Sequence, residues 1–76
     1  MSTYEEKIYK KIGKNVRKYR TLRGISQEKL SEMLDVNSKF IGHVERFERY
    51  VSLKKLIEIS KILKIELEDL FKFDKF

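Results

Sequence analysis

Residues 26–46 read SQEKLSEMLDVNSKFIGHVER, and this stretch decides the fold of the chain. Ser26 and Asn37 are residue types that favour the N-cap position, where a side-chain oxygen accepts a backbone hydrogen bond at the start of a helix. Apolar residues recur at helical spacing on both sides of the segment DVN, namely Leu30, Leu34, Val36, Ile41 and Val44. The pattern predicts two short helices that pack on each other across a tight turn, with the small residue Ser31 at their crossing.

Further helices are predicted on both sides of this unit. Thr3 and Glu6 match a capping box, and Gly24, which tolerates a left-handed backbone, marks the end of the first helix. The apolar face of that helix comprises Ile8, Ile12, Val16 and Tyr19. Ser52 is the expected N-cap of a fourth helix, and residues 66–71, ELEDLF, are expected to form a fifth. The predicted fold class is therefore all-α, a compact domain of five helices.

The composition limits the classes of function. With 76 residues the chain is expected to form one domain, residues 1–76, and the absence of cysteine excludes disulfides and thiolate metal sites. One histidine, no phosphate-binding glycine loop and no carboxylate cluster argue against an enzyme, a metal site or a cofactor. No apolar run is long enough to span a membrane. We therefore expect a cytoplasmic protein with no evident small-molecule ligand.

The chain is strongly basic, with 18 lysine and arginine residues against 12 acids and a formal net charge of +6. This balance favours a polyanionic partner, because electrostatic steering and counterion release both strengthen such an association. A protein with a lysine-rich solvated surface has the same composition. Charge alone therefore leaves nucleic-acid binding and an ordinary basic surface as equal alternatives.

The spacing within residues 26–46 is that of a helix-turn-helix, in which the second helix is presented to the major groove of DNA. The chain resembles the lambda-repressor-like (Cro/cI, or XRE) family over about residues 12–71. The resemblance rests on RKYRTLRGISQEKLSEMLDVNSKFIGHVER followed by SLKKLIEISKILKIELEDLF. A narrower resemblance, carried by FIGHVERFERYVSLKKL, is to the controller proteins of restriction–modification systems. Those are small dimeric activator-repressors that regulate their own gene and the endonuclease gene.

The chain departs from the family pattern at three positions. Asp35 replaces the usual glycine of the turn, and aspartate tolerates the left-handed conformation better than most residues. Phe47 stands where the family usually has glycine after the second helix, and Val51 replaces a common proline. We expect the turn at Asp35 to be kept, whereas the residues offer no explanation for Phe47.

The family resemblance implies base contacts from the second helix of the motif. A helical wheel places Ile41 and Val44 on its inner side. Its outer side carries Lys39, Gly42, His43 and Arg46, and no carboxylate. The resemblance assigns base-edge contacts to Ser38, Lys39 and His43. Lysine can donate to guanine O6 or N7, and histidine donates or accepts according to its tautomer. Without the resemblance, these would be ordinary solvated side chains.

The resemblance also implies contacts with DNA phosphates. Gln27 opens the first helix of the motif, where a side-chain amide and unpaired backbone N–H groups can donate to a phosphate oxygen. The other candidates are Arg46, Arg49, Lys14, Arg17 and Asn37. Gly42 costs about 0.5–1 kcal/mol relative to alanine inside a helix. Either it allows close approach to DNA or to a neighbouring helix, or it reflects drift at a tolerant position.

Glu45 lies on the packed side of the same helix, where a lone carboxylate is unfavourable. The resemblance implies that Arg20, on the first helix, is its partner. We expect a structural ion pair whose truncation impairs folding before it impairs recognition.

The C-terminal region, about residues 59–76, has surplus apolar residues for one small domain. The candidates for a dimer interface are Ile59, Ile62, Leu67, Leu70, Phe71, Phe73 and Phe76. A symmetric interface would bury them, but some could instead complete the monomer core. A third alternative is that the KFDKF tail stacks on bases.

Together these features predict a sequence-specific regulator that binds double-stranded DNA as a homodimer on a palindromic operator with two half-sites. The controller proteins of restriction–modification systems are the favoured comparison. The alternatives are a phage or mobile-element repressor, or an antitoxin-type module whose main partner is another protein. Non-specific binding to RNA or anionic surfaces would give affinity without sequence preference.

Overall fold

The computed structural model describes residues 3–73, so the candidate interface residue Phe76 lies outside the described part. The helices are α1 (Tyr4–Leu22), α2 (Gln27–Met33), α3 (Phe40–Glu45), α4 (Leu53–Leu63) and a C-terminal 3₁₀ helix (Leu67–Phe71). The all-α prediction is confirmed, and within residues 3–73 there is no strand.

The fifth predicted helix is a 3₁₀ helix, so the described chain has four α-helices rather than five. The segment is five residues long, and its two core-directed residues, Leu67 and Leu70, are three positions apart. A repeat of three residues per turn places both on the same side, which an α-helical turn does less well.

The N-caps predicted at Thr3, Ser26 and Ser52 are present, whereas the N-cap of α3 is Lys39 rather than the predicted Asn37. Thr3 Oγ1 accepts from the Glu6 N–H at 3.1 Å, and the Thr3 N–H donates to Glu6 Oε1 at 2.6 Å, which completes the capping box. The Ser26 hydroxyl accepts from the Lys29 N–H at 2.9 Å, and the Ser52 hydroxyl caps α4 in the same way. Helix α3 starts two residues later than expected, because residues 38 and 39 form a turn.

All four α-helices end in the same way. Each is followed by a residue with positive φ, namely Gly24 (68°), Asp35 (58°), Phe47 (53°) and Lys64 (59°). In each case the next N–H donates back to a carbonyl five residues earlier, as Val36 does to Ser31 at 3.1 Å and Glu48 does to His43 at 2.7 Å. This is the Schellman motif, which usually has glycine at the positive-φ position. The turn at Asp35 is thus kept, as predicted.

The core lies between α1, the helix pair α2–α3, and α4 with the 3₁₀ helix. Its buried apolar residues are Ile12, Val16, Leu30, Leu34, Ile41, Val44, Val51, Leu56, Ile59, Leu63 and Leu70. Ile59 and Leu70 are completely buried within the single chain. Both side chains therefore belong to the monomer core, and a dimer surface would not include them.

Two side chains at α1 make long-range polar contacts, which the sequence did not indicate, with the ends of α4 and of the 3₁₀ helix. The Asn15 amide donates to the carbonyls of Leu70 at 2.9 Å and Lys72 at 3.1 Å. The Arg23 guanidinium donates to the carbonyls of Leu63 at 2.6 Å and Lys64 at 3.2 Å. Arg23 thereby satisfies the unpaired carbonyls at the C-terminus of α4, and its charge is favourable beside the helix dipole.

The crossing of α1 and α3 depends on Gly13. A Cβ atom at this position would lie 2.6 Å from the carbonyl oxygen of Val44 and 3.2 Å from Glu45 Cα. Both are backbone atoms of α3, so no side-chain rotation could make room. Gly13 therefore sets how close α1 lies to the end of α3.

We predict that Gly13→Ala lowers the free energy of unfolding by roughly 2 kcal/mol, because overpacking against backbone forces the helices apart. Alanine would otherwise stabilise a helix interior by about 1 kcal/mol. Urea denaturation followed by circular dichroism measures the change. Gly42→Ala is the matched control, since a Cβ there meets only side-chain ends, at 3.2 Å or more. The account is wrong if Gly13→Ala is as stable as Gly42→Ala.

Candidate nucleic-acid interface

Helices α2 and α3 are joined by a buried hydrogen bond as well as by apolar packing. The Ser31 hydroxyl is fully buried and accepts from the Ile41 N–H at 3.1 Å. Near the start of α3, the Asn37 side-chain oxygen accepts from the Lys39 N–H at 2.9 Å. Ser31 therefore does more than leave space at the crossing, because it also pairs a backbone N–H in the first turn of α3 that would otherwise be unsatisfied.

Glu45 anchors α3 to α1 and α2. Arg20 Nε lies 2.6 Å from Glu45 Oε2, and Arg20 Nη2 lies 3.1 Å from Glu45 Oε1, which makes the contact bidentate. The Arg20 side chain is 10% exposed and that of Glu45 only 3%. A further guanidinium N–H donates to the Ile25 carbonyl at 2.9 Å, and the Gln27 amide donates to Glu45 Oε1 at 2.9 Å. One carboxylate thus links three helices through charge-assisted hydrogen bonds.

The solvent side of α3 carries the residues expected to read bases. Ser38 and Lys39 are exposed in the turn before the helix, and the His43 side chain is 36% exposed. Gly42 is buried beneath the ends of two side chains, since a Cβ there would lie 3.2 Å from Arg46 Nη1 and 3.3 Å from Gln27 Oε1. The side chain missing at Gly42 therefore makes room for Gln27 and Arg46.

This surface contains a carboxylate that the helical wheel did not predict. Glu48 Oε1 lies 2.7 Å from His43 Nδ1 and 3.2 Å from Arg46 Nη2. Hydrogen bonds from Arg46 and then His43 hold the pKa of the Glu48 carboxyl below its usual range, so it is ionised at neutral pH. A wheel drawn for α3 alone could not find Glu48, because this residue lies in the loop after the helix. The Schellman motif at the end of α3 turns the chain so that Glu48 lies beside His43.

The other phosphate candidates lie on three parts of the chain: α1, the start of α2 and the loop after α3. Lys14 and Arg17 are exposed on α1, and Lys14 follows the glycine that contacts α3. Arg49 places its guanidinium 5.6 Å from the centre of the Phe40 ring. The amide of Gln27 donates to Glu45, so this residue braces α3 directly.

Phe47 is part of an aromatic cluster formed with Tyr9 and Tyr50. The ring centroids of Phe47 and Tyr9 are 6.0 Å apart, those of Phe47 and Tyr50 5.5 Å, and those of Tyr9 and Tyr50 4.8 Å. A bulky residue at positive φ is strained by about 1–2 kcal/mol, and edge-to-face ring pairs contribute about 0.5–1.5 kcal/mol each. The cluster therefore offsets the strain and fixes the loop after α3.

Among residues 3–73 no group of three or more histidine or acidic side chains is placed to hold a metal ion. None of the helices in the described part of the chain has both the length and the apolar character needed to cross a membrane.

We predict that Glu45→Ala lowers the free energy of unfolding by about 3 kcal/mol, because it leaves the Arg20 charge buried without its partner. Urea denaturation measures this. Glu32→Ala is the control, because Glu32 pairs with Lys29 at 3.2 Å in an exposed position and should cost about 0.5 kcal/mol or less. Equal losses for the two variants would contradict the structural role of Glu45.

The sequence of this chain is similar to a helix-turn-helix family and to control proteins. The helix-turn-helix family model matches residues 16–70. The control protein C.SmaI of Serratia marcescens is 44% identical over 52 residues, which are 68% of this chain and 62% of that protein. The chain thus covers less than two thirds of the Serratia protein. The control protein C.BamHI of Bacillus amyloliquefaciens is 39% identical over 63 residues, 82% of this chain and 78% of that protein.

Two solved structures share the fold. The restriction-modification controller protein C.AhdI from Aeromonas hydrophila has a TM-score of 0.75 and 38% identity, covering 80% of this chain and 92% of that one. The hypothetical transcription factor NHTF from Neisseria has a TM-score of 0.83 over 97% of this chain and 86% of its own, and its 20% identity supports the fold alone.

The homologues are controller proteins rather than enzymes. The chain belongs to the lambda-repressor-like (XRE) helix-turn-helix family and is homologous to restriction–modification controller proteins.

Proposed function

We propose that the chain is a sequence-specific transcription regulator that binds double-stranded DNA. The observation that carries the proposal is the solvent side of α3. It presents His43 from a helix that a buried ion pair holds against the other helices, and Ser38 and Lys39 from the turn immediately before that helix. A short helix fixed in this way can enter the major groove without loss of orientation, which base recognition requires.

The proposed roles divide by chemistry. Lys39 only donates hydrogen bonds and suits guanine O6 or N7, Ser38 suits several bases, and His43 donates or accepts. Arg46 and Arg49, close to the end of α3, are proposed to contact phosphates on one side of the groove. Lys14, Arg17, Gln27 and Asn37 complete the proposed set. These contacts position the protein without reading sequence, and the net charge of +6 supports them.

We further propose that the protein binds as a homodimer on a palindromic operator, because one helix-turn-helix covers only a half-site. Among the candidate interface residues in the described part of the chain, the half-buried Ile62, Leu67 and Phe73 and the 40% exposed Phe71 are still accessible. Pairing of this surface across a two-fold axis would bury them. Ile59 and Leu70 would support the interface from within the core.

The biological role we propose is that of a restriction–modification controller, which regulates its own gene and the endonuclease gene. The homology to C.SmaI, C.BamHI and C.AhdI supports this role over that of a phage repressor. An antitoxin-type module would bind a different protein through its surface, whereas the proposed homodimer assigns the accessible C-terminal apolar residues to a second copy of this chain.

We predict that the protein prefers the DNA upstream of its own gene over scrambled DNA by on the order of 10³ or more. Fluorescence anisotropy at two salt concentrations measures this preference. Lys39→Ala and His43→Ala should reduce the preference more than they reduce non-specific affinity. Lys10→Ala, which removes the same charge as Lys39→Ala from an exposed position on α1, should leave the preference unchanged.

Equal affinity of the wild-type protein for both DNAs would contradict the regulator proposal. If Lys39→Ala and His43→Ala lower affinity for both DNAs by the same factor, these residues contact phosphates rather than bases. A protein monomeric at the concentrations that saturate the operator would contradict the homodimer.

A further inference from the structure

At the end of α3, the backbone brings the carboxylate of Glu48 next to His43, which is proposed to read bases. In the Schellman motif of this helix, Phe47 has positive φ, its N–H donates to the Val44 carbonyl at 3.1 Å, and the Glu48 N–H donates to the His43 carbonyl at 2.7 Å. The residues that occupy the positions of His43 and Glu48 in this motif are often both apolar and in contact. Here both are polar, and their side chains form a 2.7 Å hydrogen bond.

The contact between the His43 and Glu48 side chains is fixed by the backbone and by packing of the loop. The backbone bond ties Glu48 to His43, and the ring of Phe47 is packed against Tyr9 and Tyr50, which restricts the loop. Arg46 shares the same carboxylate oxygen at 3.2 Å, and the exposed Lys39 precedes His43 by four residues. Glu6 and Arg49 line a surface pocket together with Glu48. The carboxylate is therefore held beside the imidazole by both backbone and side-chain contacts.

The chemistry of the pair determines which ring nitrogen carries the proton. An ionised carboxylate only accepts hydrogen bonds, so the hydrogen between Glu48 Oε1 and His43 Nδ1 belongs to the imidazole. In a neutral imidazole one nitrogen donates and the other accepts. In the neutral ring the opposite nitrogen, Nε2, therefore carries the lone pair, and it lies across the ring from the nitrogen that faces Glu48.

We propose that Glu48 is a positioning residue for base recognition, holding His43 in the Nδ1–H tautomer so that Nε2 is presented to the major groove as an acceptor. The inference rests on the proposed function, that α3 reads double-stranded DNA. An acceptor at this point selects a base with an exposed amino group, which is adenine through N6 or cytosine through N4. Lys39, by contrast, only donates. Lys39 therefore requires a hydrogen-bond acceptor on the base, whereas His43 requires a donor.

The tautomer can be tested without DNA. His43 is the chain's only histidine, so a long-range ¹H–¹⁵N NMR spectrum contains one imidazole. In the free protein with a neutral ring, we expect Nδ1 to have the shift of a protonated nitrogen and Nε2 that of an unprotonated one. In Glu48→Gln, whose amide can donate or accept, both shifts should move towards their average. A wild-type ring protonated at Nε2, or shifts identical in the two proteins, would overturn the inference.

Binding selectivity provides the second test. The base pair read by His43 is the one at which His43→Ala loses its preference in a library of single-base operator variants. We expect Glu48→Gln to reduce discrimination at that base pair by about fivefold to tenfold, the effect of one lost hydrogen bond, and to leave the base pair read by Lys39 unaffected. Glu5→Gln removes the same charge from an exposed position on α1 and should leave both preferences intact.

The outcomes separate this inference from the proposed function. If Glu48→Gln strengthens binding to all sequences equally and keeps every preference, Glu48 acts only as a repulsive charge and the inference is wrong while the regulator proposal stands. If the wild-type protein shows no sequence preference, the proposed function fails and base selection by His43 fails with it. Thermal melting of each variant by circular dichroism confirms that it is folded before binding is compared.

Discussion

The arrangement depends on the contact between α1 and the end of α3. Gly13 allows the two backbones to approach, and the ion pair between Arg20 and Glu45 fixes them at that distance. A carboxylate buried this deeply is unfavourable unless it is paired and hydrogen-bonded. Glu45 accepts from Arg20 and from Gln27, so its burial specifies one orientation of α3 relative to both other helices. Without this constraint a six-residue helix would not present a defined surface, because helices of that length are unstable alone.

The four helix ends show how local backbone chemistry shapes the surface. The same hydrogen-bond pattern closes each α-helix, yet only one of the four positive-φ residues is glycine. Asp35 and Lys64 are exposed and adopt this conformation without packing, whereas Phe47 is supported by two tyrosine rings. At the end of α3 the same pattern turns the chain back on the helix, so that Glu48 contacts His43 and Arg46. The residue that looked least compatible with the family pattern therefore helps to place a carboxylate on the proposed DNA surface.

Much of the fold could be predicted, because it depends on signals that are local in sequence. Thr3 with Glu6, Ser26 and Ser52 mark helix starts, and the spacing of Leu30, Leu34, Ile41 and Val44 defines the packed pair. Contacts between distant residues carry no such signal. Gly13 looks like any helix glycine, and Asn15 and Arg23 look like solvated side chains until α4 and the 3₁₀ helix are in place. Glu48 was missed because a helical wheel covers only the residues of the helix. The sequence also did not show that the monomer core would cover Ile59 on α4 and Leu70 on the 3₁₀ helix.

The most direct measurement of the central claim maps the DNA surface on the protein by NMR. We would titrate ¹⁵N-labelled protein with a duplex from upstream of its gene and follow the backbone amide shifts. The account predicts the largest changes in residues 37–49 and at the start of α2, with small changes in α4. The largest changes in α4 or in residues 67–73, with residues 37–49 unaffected, would contradict the claim that α3 is the surface that meets DNA.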